Sequence, residues 1–348
     1  MAAPARMRRS ARLARRRATT AALLAIAAAL AIASPAAAGE TSRFFLSGDG
    51  EVSLQNGHTG DKLHVRYRRA DGSYDAQSLA AVDRFFRSRG DDDTTRVALR
   101  LIETIDYLED RERPRAIVLV SGYRSGEYNS SLIARGHKAA RTSMHTEGLA
   151  ADLRFVGLDQ RALWIAVREL ECCGAGWYAT NGFLHLDVGR PRFWEETTSR
   201  VGENLSQGNA RVIARTDFDR YDALDGATVA LHAVTLRPLR LARDASFVAD
   251  GEGAAALRVR IEKARRAAEA GDGAAASDCL EFPASSDPSR IVLRVAEADG
   301  SGSRAGATRG RIVLRTCEPR LEATPATIDT NPIEVGAPVR SGGGEGRA

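Results

Sequence analysis

From residue 41 onward, apolar and polar positions fall into short runs that switch between two periods. EVSLQN (51–56) and KLHVRY (62–67) alternate with a period of two and are joined by GHTGD, which predicts two turn-linked strands. Apolar positions then recur at helical spacing over Ala76–Arg87. They do so again from Thr94 to Leu108, where Val97, Leu101, Ile105 and Leu108 share one face. AIVLV (116–120) is a short unbroken apolar run and predicts a buried strand, followed by a helical stretch near Tyr128–Arg135. LAADLRFV (149–156) returns to strand character, and Asp159 stands where it would cap a helix carrying Leu163, Val167 and Leu170. GWYATNGFLHLDVG (176–189) closes the region as a hairpin turning at Asn181-Gly182. Helices interspersed with short strands predict an α+β domain over residues 41–194, a small antiparallel sheet flanked by helices.

The texture changes beyond Trp194. Residues 195–224 are polar and mixed and read as a linker. TVALHAVTLRPLRL, ALRVRI, RIVLRVAEA and RIVLRTCE, separated by Gly, Asp and Ser clusters, predict a β-rich domain over 225–335, with a small sandwich as the expected form. Glu262–Ser277 reads as a helical excursion or a loose loop, and 336–348 as a disordered tail.

Residues 1–38 form a different unit. A basic stretch without an acidic residue precedes a 13-residue apolar run, Ala21–Ala33, and then SPAAAGE. This is the three-part pattern of a secretory signal peptide, with cleavage expected after Ala38. The apolar run is short of the roughly 20 residues needed to span a bilayer. Arg8-Arg9-Ser10 carries only part of the twin-arginine pattern and leaves the export route open. Seven of the 50 basic residues lie in this leader, so the remainder carries 43 basic against 45 acidic residues, a net charge of about −2. The compositional case for nucleic-acid binding disappears with the leader. In an exported chain Cys279 and Cys317, each beside strand-like sequence, are expected to pair. The adjacent Cys172 and Cys173 cannot easily bridge each other and read as two small buried thiols.

The chemistry concentrates in two runs. In SMHTEGLAAD (143–152) a histidine and an aspartate stand seven residues apart, and in GFLHLDVG the alternation puts Phe183, His185 and Asp187 on one face. If the two strands are neighbours, Asp152 and His185 can converge, and His145 can close a third side. Two imidazoles and a carboxylate suit zinc, and three protein ligands leave the fourth tetrahedral position open, as a catalytic site requires.

SGYRSGEYNSSL, TSMHTEGLAAD and GWYATNGFLHLDVGRPRFW, in this order, resemble the D-alanyl-D-alanine carboxypeptidase family of zinc peptidases, which is related to VanX and VanY, lysostaphin-like enzymes and the hedgehog zinc domain. The resemblance is greatest to the YcbK-type murein endopeptidase branch and covers about Phe44 to Trp194. It implies one Zn²⁺ per chain held by His145, Asp152 and His185, with Arg124 binding a substrate carboxylate or the developing oxyanion. It also implies peptidoglycan stem peptides as the substrate, a D,D or L,D bond cut by zinc-activated water, and a periplasmic or cell-envelope location. Many relatives carry an acidic base three residues before the last histidine ligand, where this chain has Gly182. Asp187 is then the first candidate for the base, with a role orienting a ligand imidazole as its alternative. Glu147 is the second candidate, with a solvated loop carboxylate as its alternative. Tyr178 either donates to the leaving group or is a rim aromatic. Ser143 belongs to the substrate-binding set and, with Asn129, is expected to hold loops by hydrogen bonds. The absent acid at Gly182 keeps a second function open, a non-catalytic zinc-fold domain that binds wall peptides or a protein partner.

Overall fold

Seven strands form the sheet on which the site is built: β1 (Glu51–Asn56), β2 (Lys62–Arg66), β3 (Ala116–Ser121), β4 (Ala150–Val156), β5 (Gly174–Tyr178), β6 (Phe183–Asp187) and β7 (Arg192–Glu195). Their order is β2-β1-β3-β4-β6-β5-β7. The computed structural model describes residues 42–137, 139–140, 143–199, 212–232, 238–251, 256–266, 279–282, 291–298, 307–317 and 324–336. The expected signal peptide, part of the expected linker and nearly all of the expected tail lie outside them.

The sheet is larger than the alternation suggested and not purely antiparallel: β1 pairs β3, and β5 pairs β7, in parallel. Parallel partners need a crossover connection; helices supply it between β1 and β3, while the chain passes through β6 between β5 and β7. Between β1 and β3 run α1 (Ala76–Phe85) and α2 (Leu99–Glu112). α3 (Gly126–Ala134) follows β3, and α4 (Gln160–Glu169) joins β4 to β5.

Helix starts follow their caps. Asp75 accepts from the Ser78 amide at 2.8 Å, Ser125 from the Tyr128 amide at 3.0 Å, and Asp159 from the Arg161 amide at 2.9 Å. α2 begins at Leu99, five residues later than its periodicity implies, because two backbone donors ahead of it are used elsewhere. The Val97 amide bonds the Asp83 carboxylate at 2.9 Å, and the Ala98 amide bonds the Gly148 carbonyl at 2.9 Å. The second of these bonds ties the start of α2 to the loop that carries His145.

The core lies between helices and sheet. Leu79, Val82 and Phe85 of α1 and Leu101, Ile102, Ile105 and Leu108 of α2 are buried, as are Leu153, Phe155, Leu184 and Leu186 of the sheet. Each side chain of this size contributes about 1.5–3 kcal/mol on burial. β4 and β6 are interior strands with a partner on both sides, so their register is fixed.

A buried ion pair fastens the N-terminal segment to α2. Arg68 donates to Glu103 at 3.0 Å, and Glu103 also accepts from the Tyr74 hydroxyl at 2.9 Å and from Ser47. Arg68→Ala leaves the Glu103 carboxylate buried without its cation. The expected loss is about 3–5 kcal/mol, read as a lowered urea midpoint.

Among the described residues, ten strands between Ile213 and Val335 form a second sheet. Three bear on the site: β8 (Ile213–Thr216), β9 (Arg220–Tyr221) and β10 (Thr228–His232). β8 and β9 lie within the stretch that reads as a linker, so the sheet begins ahead of residue 225. Its strands are joined by one continuous set of pairings, where the sequence suggested a sandwich. Within the expected helical excursion, residues 262–266 continue the strand Ala256–Arg266, and the remainder lies outside the described residues. Cys279 and Cys317 are disulfide-bonded. So are Cys172 and Cys173, contrary to their reading as free thiols. The bond sits at a backbone reversal, where Glu171 takes a positive φ of 49° and the chain turns into β5.

Candidate metal centre

Asp152 of β4 and His185 of β6 are direct partners in the antiparallel register, so their side chains leave the sheet on the same face. The third donor comes from a single 3₁₀ turn, Met144–Glu147, that runs into β4. Ser143 caps the turn, its hydroxyl accepting from the His145 amide at 3.3 Å. Gly148 ends it at φ +69°, and a Cβ there would lie 2.5 Å from the Arg96 carbonyl oxygen. Glycine is thus needed both for the left-handed turn and for the close approach to the segment ahead of α2.

Three donor atoms face one another. His145 Nε2 is 3.2 Å from His185 Nδ1 and 3.3 Å from Asp152 Oδ1, and His185 Nδ1 is 2.9 Å from Asp152 Oδ1. All three residues are buried. Donors bound tetrahedrally to zinc at about 2.0–2.1 Å are themselves about 3.3 Å apart, so this set fits that ion. A second group of acids, Asp49, Asp106 and Asp110, also clusters, but it offers carboxylates alone.

Each donor is oriented by a partner behind it. His145 Nδ1–H donates to the Gly122 carbonyl at 2.7 Å, which directs the Nε2 lone pair at the cluster. Burial and the Arg124 guanidinium push the His145 pKa down to about 4, so the ring is neutral, as a ligand must be. Arg124 donates to Asp152 Oδ2 at 2.7 Å and to the Ser121 hydroxyl at 3.0 Å, leaving Oδ1 for the cluster. Asp152 is held well below the usual carboxylate range: burial opposes this, but His145, His185 and Arg124 outweigh it. His185 turns its other nitrogen, Nε2, to Asp187 Oδ2 at 3.0 Å. Burial would lower the His185 pKa, yet Asp152 and Asp187 on its two sides raise it.

The two carboxylates weighed as bases are both engaged. Asp187 is fully buried, and Arg192 grips it with two donors, at 2.6 Å to Oδ2 and 3.0 Å to Oδ1. The Gly189 amide adds a third bond at 2.8 Å. Burial raises the Asp187 pKa, but Arg192 and His185 override it and hold the carboxyl far below its ordinary value. Asp187 is thus bonded to a donor-cluster histidine on one side and to Arg192 on the other. Glu147 is buried rather than solvated, and its Oε2 accepts from His232 Nδ1 at 2.6 Å, from the second sheet. It lies outside the donor cluster.

The remaining expected residues make local contacts of their own. Tyr178 stacks on Phe183 with ring centroids 4.7 Å apart and accepts from Trp194 Nε1 at 3.3 Å. Burial raises its phenol, so it stays protonated at neutral pH. Ser143 acts on the turn itself, and Asn129 donates to the Ala140 carbonyl at 2.9 Å. Gly182 occupies φ +61° at the hairpin turn, a conformation glycine takes without steric cost. Arg192, Trp194, whose ring lies 5.3 Å from His185, and His232 were not singled out from sequence. The run GRPRFW held the first two, but only the tight return from β6 to β7 brings Arg192 onto Asp187.

Comparison with known proteins agrees with this picture in extent. The family model described as peptidoglycan L,D-endopeptidase MepK matches residues 47–194, the span of the first sheet. The peptidoglycan L,D-endopeptidase MepK of Escherichia coli K12 is 31% identical over 144 residues, covering 41% of this chain and 79% of the relative. The protein of the same name from Shigella flexneri gives the same values. The Haemophilus influenzae protein named probable peptidoglycan L,D-endopeptidase MepK is 25% identical over 146 residues, covering 41% of this chain and 78% of the relative. No solved structure gives a match.

Proposed function

We propose, from the premise that this chain belongs to the peptidoglycan L,D-endopeptidase MepK family, that it is an exported zinc hydrolase cutting an L,D peptide bond in peptidoglycan stem peptides or cross-links. The observation that carries the reading is the set of three buried donors, His145, Asp152 and His185, at separations that suit a tetrahedral ion. Zinc bound there would supply a water of pKa about 7 and polarise the scissile carbonyl.

The chain's own residues prepare that chemistry. The Gly122 carbonyl and Asp187 fix the two rings, and Arg124 fixes the carboxylate. With Asp187 and Glu147 both engaged by other side chains, neither is assigned as the base. Arg124 keeps a donor beyond those it gives Asp152 and Ser121, and the protonated Tyr178 phenol is a second donor; these two are assigned to the substrate carbonyl or carboxylate. Export rests on the N-terminal pattern. No helix among the described residues is long and apolar enough to cross a membrane. The non-catalytic alternative draws no support from the relatives, which are named as endopeptidases.

Treating the purified protein with a chelator is expected to abolish release of products from cross-linked muropeptides, and one equivalent of Zn²⁺ is expected to restore it. Full activity after exhaustive chelation would refute the reading. Proton linkage gives a second check. In the metal-free protein His185 is held protonated to higher pH than usual by its two carboxylates, and a ligand must be deprotonated. Zinc binding should therefore release a proton below the raised pKa of His185, and apparent affinity should rise with pH up to that value. Calorimetry in buffers of different ionisation enthalpy measures the release, and a buffer-independent enthalpy at pH 6.5 would contradict it.

A further inference from the structure

The second sheet lies outside the family match, yet its first strands reach the two loops that frame the donor cluster. His232, the last residue of β10, is buried, and its Nδ1 bonds Glu147 Oε2 at 2.6 Å. Glu147 closes the same four-residue turn that carries His145. On the other side, Arg215 of β8 donates from Nε to the Val188 carbonyl at 2.6 Å, one residue past Asp187. Arg190 returns a bond to the Val212 carbonyl at 3.1 Å. β8 and β10 are hydrogen-bonded neighbours, with Ile213 opposite His232. One two-stranded unit thus reaches both loops. Arg100 of α2 adds an ion pair to Asp219 and a bond to the Thr216 carbonyl at 3.1 Å.

We infer that the C-terminal β region braces the metal centre, with His232 as a positioning residue acting through Glu147 on the His145 turn. The turn is four residues long, capped by Ser143, ended by Gly148 and tied at His145 to Gly122 and the Arg124 amide, and the second sheet takes hold at its last residue, Glu147. A buried imidazole–carboxylate contact at its last residue fixes the angle at which His145 meets Asp152 and His185. Glu147 therefore holds a ligand loop in place and handles no substrate proton. The second sheet is accordingly part of the working site and not a freely separable wall-binding module.

The inference rests on the proposed zinc site, and the test separates the two. In the full-length mature protein, His232→Ala is expected to weaken zinc binding about tenfold, at the low end for partners behind a ligand, and to lower kcat with KM unchanged. His232→Asn keeps a donor where Nδ1 stands and should restore both to within about twofold. Glu147→Gln retains an oxygen acceptor and should show a smaller loss than His232→Ala. The double variant Glu147→Gln/His232→Ala should show non-additive losses, as two residues in contact do. Amide hydrogen exchange at residues 146–149 should be faster in His232→Ala. Wild-type zinc affinity, kcat and exchange in a folded His232→Ala would overturn the brace. Should the wild-type protein bind no zinc, the functional reading fails. The exchange measurement still decides the brace, since faster exchange supports it and unchanged exchange refutes it.

Discussion

Asp152→Ala is expected to remove bound zinc and hydrolytic activity together. Asp152 contributes one of the three donor atoms, and it also takes the Arg124 guanidinium through its other oxygen. Truncating it deletes a ligand and leaves the half-buried Arg124 guanidinium facing two imidazoles without its counter-charge. Losing the partner behind a ligand costs about 10–100-fold in affinity or activity, and losing the ligand itself should exceed that range. Zinc content and kcat/KM measured on the same folded preparation check this. Retained zinc at one equivalent with unimpaired turnover would remove Asp152 from the site.

Asp187→Asn should produce the second largest effect, and it separates two roles that sequence alone left open. As an orienting carboxylate, Asp187 holds the His185 ring and raises its basicity, so the amide should lower zinc affinity by about 10–100-fold. Activity should recover when zinc is supplied above the weakened dissociation constant. A general base would give the opposite pattern, with intact zinc affinity and a kcat that no amount of metal restores. The Arg192 grip and complete burial favour the first outcome.

Much of the first domain was legible because its information is local. Strand alternation over Glu51–Asn56 and Lys62–Arg66, the apolar face of α2 and the Asp159 cap all follow from residues a few positions apart. The convergence of His145, Asp152 and His185 was legible in part: strand alternation allowed Asp152 and His185 to meet, and the family resemblance, rather than the seven-residue spacing, supplied the three as a set. Non-local contacts were not legible. Arg192 meets Asp187 through a tight turn, and the Cys172–Cys173 bond depends on a backbone reversal at Glu171. His232 meets Glu147 across 85 residues and two sheets, with no spacing rule to announce it. The later start of α2 has the same origin, since two amides ahead of it bond to Asp83 and Gly148. The ten-strand continuity of the second sheet depends on pairings such as β9 with the strand Ile333–Val335, which composition does not specify.

In the proposed function His145, Asp152 and His185 hold a zinc ion for the hydrolysis of peptidoglycan peptides. The most direct test is a digest of purified cross-linked muropeptides by zinc-loaded protein, read by mass spectrometry beside a His145→Ala control. One zinc per chain, fragments cut at an L,D bond and no products from the control are expected. One equivalent of tightly bound zinc with no cleavage of any muropeptide would contradict this function and leave a zinc-fold binding domain in its place.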